Sequence, residues 1–262
     1  MRVIMEVPMS DEPNLDADLP VSCGHSRRTI LESFATLGAI GALGNAAALA
    51  APASAAVGSE SGITPDQAVR EIMDGNARFV AGAPVAHTRD LAIIRSKAAE
   101  GQWPIAGVLS CAESRVPVEM VFDEPIGRLF VTRVAGNITT SEIIASLEYA
   151  VAVLNIKAIV VMGHSSCGAV KAAMDNPEVP GQISTLFPAI LPAIYMSQSR
   201  DPLAVTRQNA VVQAATLINS STVIEARINA GALKVVPALY DVSTSKVEIL
   251  PIPIALRQTE SK

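Results

Sequence analysis

The chain has 262 residues, half of them hydrophobic, and a formal net charge of −5 at pH 7. That length and apolar content suit one sizeable core with a short extra segment. The mild acidity, with no long cationic run, argues against a nucleic-acid surface, and three cysteines are too few for a disulfide framework.

From Met1 to Asp18 the sequence is polar, acidic and without periodicity, and disorder is expected there. Ser26-Arg27-Arg28-Thr29-Ile30-Leu31 is followed by an apolar stretch from Phe34 to Ala51, and that stretch closes in Ala51-Pro52-Ala53-Ser54-Ala55-Ala56. A basic region, an apolar region and small residues in that order make an export signal. The adjacent arginines resemble a twin-arginine signal. The rival reading, an uncleaved membrane anchor, suits it less well, because the stretch is short and glycine-rich for a span. Residues 1–55 are therefore expected to leave as a signal, with cleavage after Ala55, and residues 56–262 to form the working domain. The mature chain would keep 17 basic and 19 acidic residues, and only Cys111 and Cys167 of the cysteines. It would be periplasmic or extracellular, with no membrane association after cleavage.

Thr64-Pro65 starts a helix, with Thr64 as N-cap and Pro65 at the first helical position. Ala68, Ile72 and Phe79 mark its buried face and Gly82 ends it. His87-Thr88-Arg89 reads as a turn. A second helix is expected from Asp90 to Glu100, broken by Gly101-Gln102-Trp103-Pro104. Strands follow at Ile105–Ser110 and Arg128–Arg133. Then comes a helix from Thr140 or Ser141 to Leu154, with Ile144, Leu147, Ala150 and Val151 on one face. A third strand at Lys157–Met162 leads to a helix beginning at Ser165 or Ser166. Pro177, Pro180, Pro188 and Pro192 are expected to break up the next segment. Helices at Asp201–Ile218 and Thr222–Ala230, the latter capped by Gly231, precede strands at Leu233–Tyr240 and Lys246–Leu250. This alternation predicts an α/β fold: a central mostly parallel β-sheet, about four parallel strands plus an antiparallel edge strand, flanked by helices.

In such sheets ligands bind outside the carboxyl ends of the strands. Cys111 follows the first strand, and His164 and Cys167 follow the third. Two thiols and an imidazole suit zinc, and a catalytic zinc site commonly uses three protein ligands plus water. Alone, Cys111 would read as a buried core thiol. A closed structural site would need a fourth cysteine or histidine, and the mature chain offers only His87, in a separate segment. A Cys111–Cys167 disulfide is the rival for an exported protein. Glu113 and Arg115, beside Cys111, read either as a solvated ion pair or as a switch. In the switch, the carboxylate is held away by the guanidinium or swings in as the metal's fourth ligand.

Four blocks resemble the β-class carbonic anhydrases: Cys111-x-Glu113-Ser114-Arg115-Val116, Arg133-Val134-Ala135-Gly136-Asn137, Ser146-Leu147-Glu148-Tyr149-Ala150 and Gly163-His164-Ser165-x-Cys167-Gly168-Ala169-Val170. Weaker likeness runs through Gly75-Asn76-x-Arg78-Phe79, Leu233-Lys234-Val235-Val236 and Tyr240-Asp241-Val242. The resemblance implies reversible hydration of CO2 to bicarbonate and a proton. One Zn2+ per chain would be held by Cys111, His164 and Cys167, with metal-acidified water as the nucleophile and Glu113 and Arg115 as the catalytic dyad. It implies a substrate pocket of Gln102, Phe130, Ala135 and Tyr149, and a homodimer or a multiple of dimers. The alternatives weighed beside it are a CS2 or COS hydrolase on the same fold, a non-catalytic or conditionally inactive zinc-binding member, and a nucleotide-binding domain. The last lacks a phosphate-binding glycine loop after the first strand. Two departures stand out. Glu113 replaces the family's usual aspartate, and its extra methylene moves the carboxylate by about 1.5 Å, which could spoil the Arg115 clamp or bring the carboxylate to the metal. Arg128 replaces an acidic residue and is expected to put a cation near the pocket. A weak or conditionally closed enzyme is the expectation from these two residues.

Overall fold

The computed structural model describes residues 62–85, 90–97 and 101–253. The expected export segment, the His87 turn and the end of the second expected helix lie outside them.

Helix α1 (Pro65–Val80) opens with a reciprocal cap. The Thr64 hydroxyl accepts from the Gln67 N–H at 3.2 Å, and the Thr64 N–H donates to Gln67 Oε1 at 2.7 Å. Its buried stripe is Ala68, Val69, Ile72, Gly75 and Asn76, with Phe79 packed at the margin. A short helix α2 (Asp90–Lys97) follows. Strands β1 (Ala106–Ser110), β2 (Leu129–Arg133), β3 (Ala158–His164), β4 (Lys234–Tyr240) and β5 (Val247–Ile249) form one sheet in the order β2-β1-β3-β4-β5. The first three pairings are parallel and β5 is antiparallel to β4, as expected. β1 and β3 are buried throughout, as continuous apolar strands covered on both faces should be.

The remaining helices are α3 (Val118–Val121), α4 (Ser141–Ala152), α5 (Gly168–Asp175), α6 (Phe187–Ser197), α7 (Pro202–Ser220) and α8 (Thr222–Asn229). Alternate strand residues serve two cores. Val108, Val160, Met162 and Val236 pack with α1 residues on one face. Leu109, Ile159, Val161 and Val235 pack with Leu147, Ala150, Leu217 and Ile224 of α4, α7 and α8 on the other. Within the Ser-Leu-Glu-Tyr-Ala block, Glu148 accepts from the Ser221 hydroxyl at 2.6 Å, which ties α4 to the N-cap of α8.

Three expectations need correction. β3 runs on to His164, and the next helix begins at Gly168 rather than at Ser165 or Ser166. Ser166 has a left-handed φ of 60°, which breaks a right-handed helix; Cys167 is therefore the N-cap and not a first-turn residue. Pro188 and Pro192 do not break their segment, since α6 passes through both. Pro188 sits in the first turn, where a missing N–H is harmless, and the helix tolerates one lost bond at Pro192. Arg128 lies at the amino end of β2, away from the carboxyl ends that carry Cys111 and His164. It pairs there with Glu71, and with Glu124 at 3.7 Å.

Glu124 is buried in that cluster, which also contains Glu71, Arg78 and Asp123. Burial, and then the charge of Glu71, raise its pKa from 4.5 to about 7. A raised carboxyl pKa means that the folded chain binds the proton more tightly than the unfolded one. The contribution is complete below the unfolded value of 4.5 and is lost as pH rises through about 7. Urea midpoints measured from pH 5 to 8 are expected to fall with pH, and Glu124→Gln is expected to flatten that slope. An unchanged slope in the variant would assign the pH dependence to other groups.

Candidate metal centre

Because β1 and β3 are paired in parallel with Ser110 opposite Met162, their carboxyl ends lie side by side. Cys111 leaves β1 there, His164 ends β3, and Cys167 caps α5 after the Ser165-Ser166 turn. The ligand atoms of these three buried residues lie within 4.8 Å of one another. Both cysteines are free thiols, so the disulfide alternative is not realised in this structure.

The protonation pattern follows from the contacts. Cys111 is lowered to about 4, first by the hydrogen bond from the Cys167 thiol and further by the Gly136 N–H, against the effect of burial. The Gly136 N–H donates to Cys111 Sγ at 3.3 Å. Cys167 is pushed up by its bond to Cys111 and by burial. The close approach of the two sulfurs thus favours a negative charge in this cluster. His164 Nδ1 faces the Ser165 carbonyl oxygen at 2.9 Å. A carbonyl only accepts, so Nδ1 carries the proton and Nε2 the lone pair. Nε2 is buried with no hydrogen-bond partner among the described residues. A buried lone pair without a donor, beside two thiols, fits a zinc ion. The Nδ1–carbonyl contact is the kind of bond by which metal-binding histidines usually fix their tautomer and ring orientation.

Glu113 stands outside this group of three. Arg115 Nε donates to its Oε1 at 2.8 Å and Arg115 Nη2 to its Oε2 at 3.2 Å. The extra methylene therefore leaves the two-pronged clamp intact. These bonds hold the Glu113 carboxyl down at about 2 and raise Arg115. Arg133, to which the sequence reading gave no role, donates from Nε to the Cys111 carbonyl at 2.9 Å and from Nη2 to the Glu113 carbonyl. It grips the backbone on both sides of Ala112. The Gly136 N–H was likewise missed; both residues belong to the Arg133–Asn137 block, whose spacing was the only hint.

The expected pocket residues divide. Phe130 and Tyr149 touch, with ring centroids 6.4 Å apart and planes tilted by 40°. Ala135 opens the 3-10 turn that follows β2. Gln102 is exposed and precedes β1, whereas Cys111 follows it. Five strand residues at about 3.3 Å each separate those ends, so Gln102 does not reach the cluster of its own chain.

The family model described as carbonic anhydrase matches residues 106–247. Carbonic anhydrase from Mycolicibacterium smegmatis is 37% identical over 194 residues, covering 71% of this chain and 93% of that protein. The chain belongs to the carbonic anhydrase family. Carbonic anhydrase 2 from Mycobacterium tuberculosis is 36% identical over 190 residues, covering 70% of this chain and 91% of its own length. A tetrameric β-carbonic anhydrase from Sordaria macrospora superposes with a TM-score of 0.56 at 25% identity, covering 61% of this chain and 86% of that one. These likenesses place the chain in the β class of the family.

Proposed function

We propose that this chain catalyses the reversible hydration of CO2 to bicarbonate and a proton, with one zinc ion held by Cys111, His164 and Cys167. The observation that carries the proposal is the buried Cys/His/Cys group with an unpartnered Nε2 at the carboxyl end of the sheet. Zinc bound there supplies the Lewis acidity that turns water into hydroxide near neutral pH. The chain's own residues do the rest. Glu113 stays anionic across the physiological range because Arg115 engages both its oxygens. So held, it is a poor proton acceptor but a good hydrogen-bond acceptor, and it orients the attacking O–H rather than removing its proton. Arg133 keeps Cys111 and Glu113 in register through their carbonyls. Phe130, Ala135 and Tyr149 give the apolar wall that a small uncharged gas needs, and Gln102 gives an amide donor.

A second copy completes that pocket in this reading. β2 is an edge strand, and Tyr149 on the adjoining helix α4 and Val153 at its C-cap are 48% and 42% exposed. Gln102 lies at the wrong end of β1 to serve its own cluster. A homodimer, or a multiple of dimers, covers the apolar face and lets Gln102 serve the partner's site. We also read residues 1–55 as a twin-arginine-type export signal that delivers the protein to the periplasm or beyond.

Stopped-flow CO2 hydration tests the reaction. Rapid turnover that a chelator abolishes and zinc restores is expected. Zinc-loaded protein with no activity above background would make the chain a non-catalytic member. Glu113→Asp, run beside it, is expected to bring no gain, because the clamp that aspartate would form is already made.

A further inference from the structure

The metal centre is backed by a buried amide network on α7 that the reaction scheme above leaves unused. Asn209 is fully buried and Gln213 is 2% exposed, one helical turn apart on the buried, mostly apolar side of the helix. Asn209 Nδ2 donates to the Gly136 carbonyl at 2.8 Å and lies 3.5 Å from Asn137 Oδ1. Gln213 Nε2 donates to Asn209 Oδ1 at 3.1 Å and to the Ala189 carbonyl at 2.7 Å, while Gln213 Oε1 accepts from the Thr139 N–H at 2.7 Å. The Thr139 hydroxyl donates to the Gln213 carbonyl at 3.1 Å. α7 thus grips the turn over residues 134–139, and α6 anchors Gln213 through the Ala189 carbonyl.

That turn has an uncommon backbone. Gly136 and Asn137 both have left-handed backbones, with φ of 78° and 44°. Glycine and asparagine adopt that region readily, and the bonds from α7 fix how the two in succession are oriented. The turn's hydrogen bond to the metal centre is the Gly136 N–H on Cys111 Sγ. We propose that Asn209 and Gln213 are positioning residues for the zinc ligand Cys111, holding the turn in the one conformation that aims the Gly136 N–H at the Cys111 sulfur. The proposal rests on the zinc reading above. Asn209 sets the turn by gripping the Gly136 carbonyl, and Gln213 sets Asn209 by gripping its Oδ1. An N–H donor on a metal-bound thiolate draws charge from the sulfur and fixes its direction, which is the tuning that residues behind a ligand supply.

Cobalt(II) in place of zinc reports on this through the sulfur-to-metal charge-transfer band. Losing the N–H donor raises the energy of the sulfur electrons, so the band moves to longer wavelength. Asn209→Ala is expected to shift the band that way and to weaken zinc binding about tenfold or more in a chelator competition. Gln213→Glu, which keeps the acceptor for Thr139 but loses the donor to Asn209, is expected to shift it in the same direction by less. Leu217→Ala, fully buried on the same helix, is the control: it is expected to lower the melting temperature while leaving band and zinc affinity unchanged. The proposal is overturned if Asn209→Ala keeps the wild-type band and affinity, or if Leu217→Ala moves them equally. Should Asn209→Ala not fold, the same comparison with Gln213→Glu decides. Wild-type protein that takes up neither metal would bring down the zinc reading itself, and this proposal with it.

Discussion

Cys167→Ser is expected to reduce CO2 hydration to the uncatalysed background and to leave the purified protein nearly free of zinc. A serine hydroxyl keeps its proton at neutral pH and is a poor ligand for a borderline-soft ion, so one of three protein ligands is lost outright. The fold should not suffer. Cys167 is the N-cap of α5 and makes no side-chain capping bond, whereas serine is among the preferred N-caps. The metal-free variant is therefore expected to melt no lower than metal-free wild type. Metal analysis, stopped-flow rates and melting of the two apo proteins check the three parts together. Retention of a tenth or more of the wild-type rate would mean that the metal is held some other way.

The second large effect concerns the fold. Gly75→Ala is expected to destabilise the protein by more than about 3 kcal/mol, read as a fall in the urea midpoint. A Cβ on Gly75 would lie 1.7 Å from the Phe122 carbonyl oxygen and 2.8 Å from its carbon. Both are backbone atoms and neither can rotate aside, so α1 must lift. Lifting it disturbs Asn76, whose amide donates to the Val121 and Ser245 carbonyls and accepts from the Val247 N–H, and the Arg78–Asp123 pair. The Gly-Asn-x-Arg pattern thus reads as a docking motif: no side chain, then a buried amide, then a cation. A midpoint within error of wild type would show that α1 can move at little cost.

The sheet was legible because β1, β3 and β4 are apolar runs bounded by breakers, and the crossover helices between them show helical periodicity. The grouping of Cys111, His164 and Cys167 was legible because a thiol, a histidine and a second thiol sit where apolar runs stop. What escaped was decided by single backbone angles and by contacts between distant residues. The start of α5 turns on φ at Ser166, which a serine side chain does not announce. Continuity through Pro192 depends on where Pro188 falls in the first turn. Arg128 could be placed on a strand but not paired, because Glu71 comes from a helix more than fifty residues earlier. Asn209 and Gln213 looked like ordinary polar residues of a long helix; only the buried surroundings show that their bonds must end somewhere.

The seam between β1 and β3 has a bearing on how the protein is made. Cys111 and the His164–Cys167 pair are contributed by strands more than forty residues apart in sequence, and they meet only after those strands have zipped in parallel. A parallel pairing of that span closes slowly, since its loop entropy is lost before the contacts form. No local fragment can assemble the three ligands in advance, so an ion of ordinary availability has high affinity only for the finished sheet. Its binding free energy then acts wholly on the native side of the folding equilibrium. A metal bound at that seam would be in this sense a latch: it would close last, and it would hold together the two central strands whose pairing created its site.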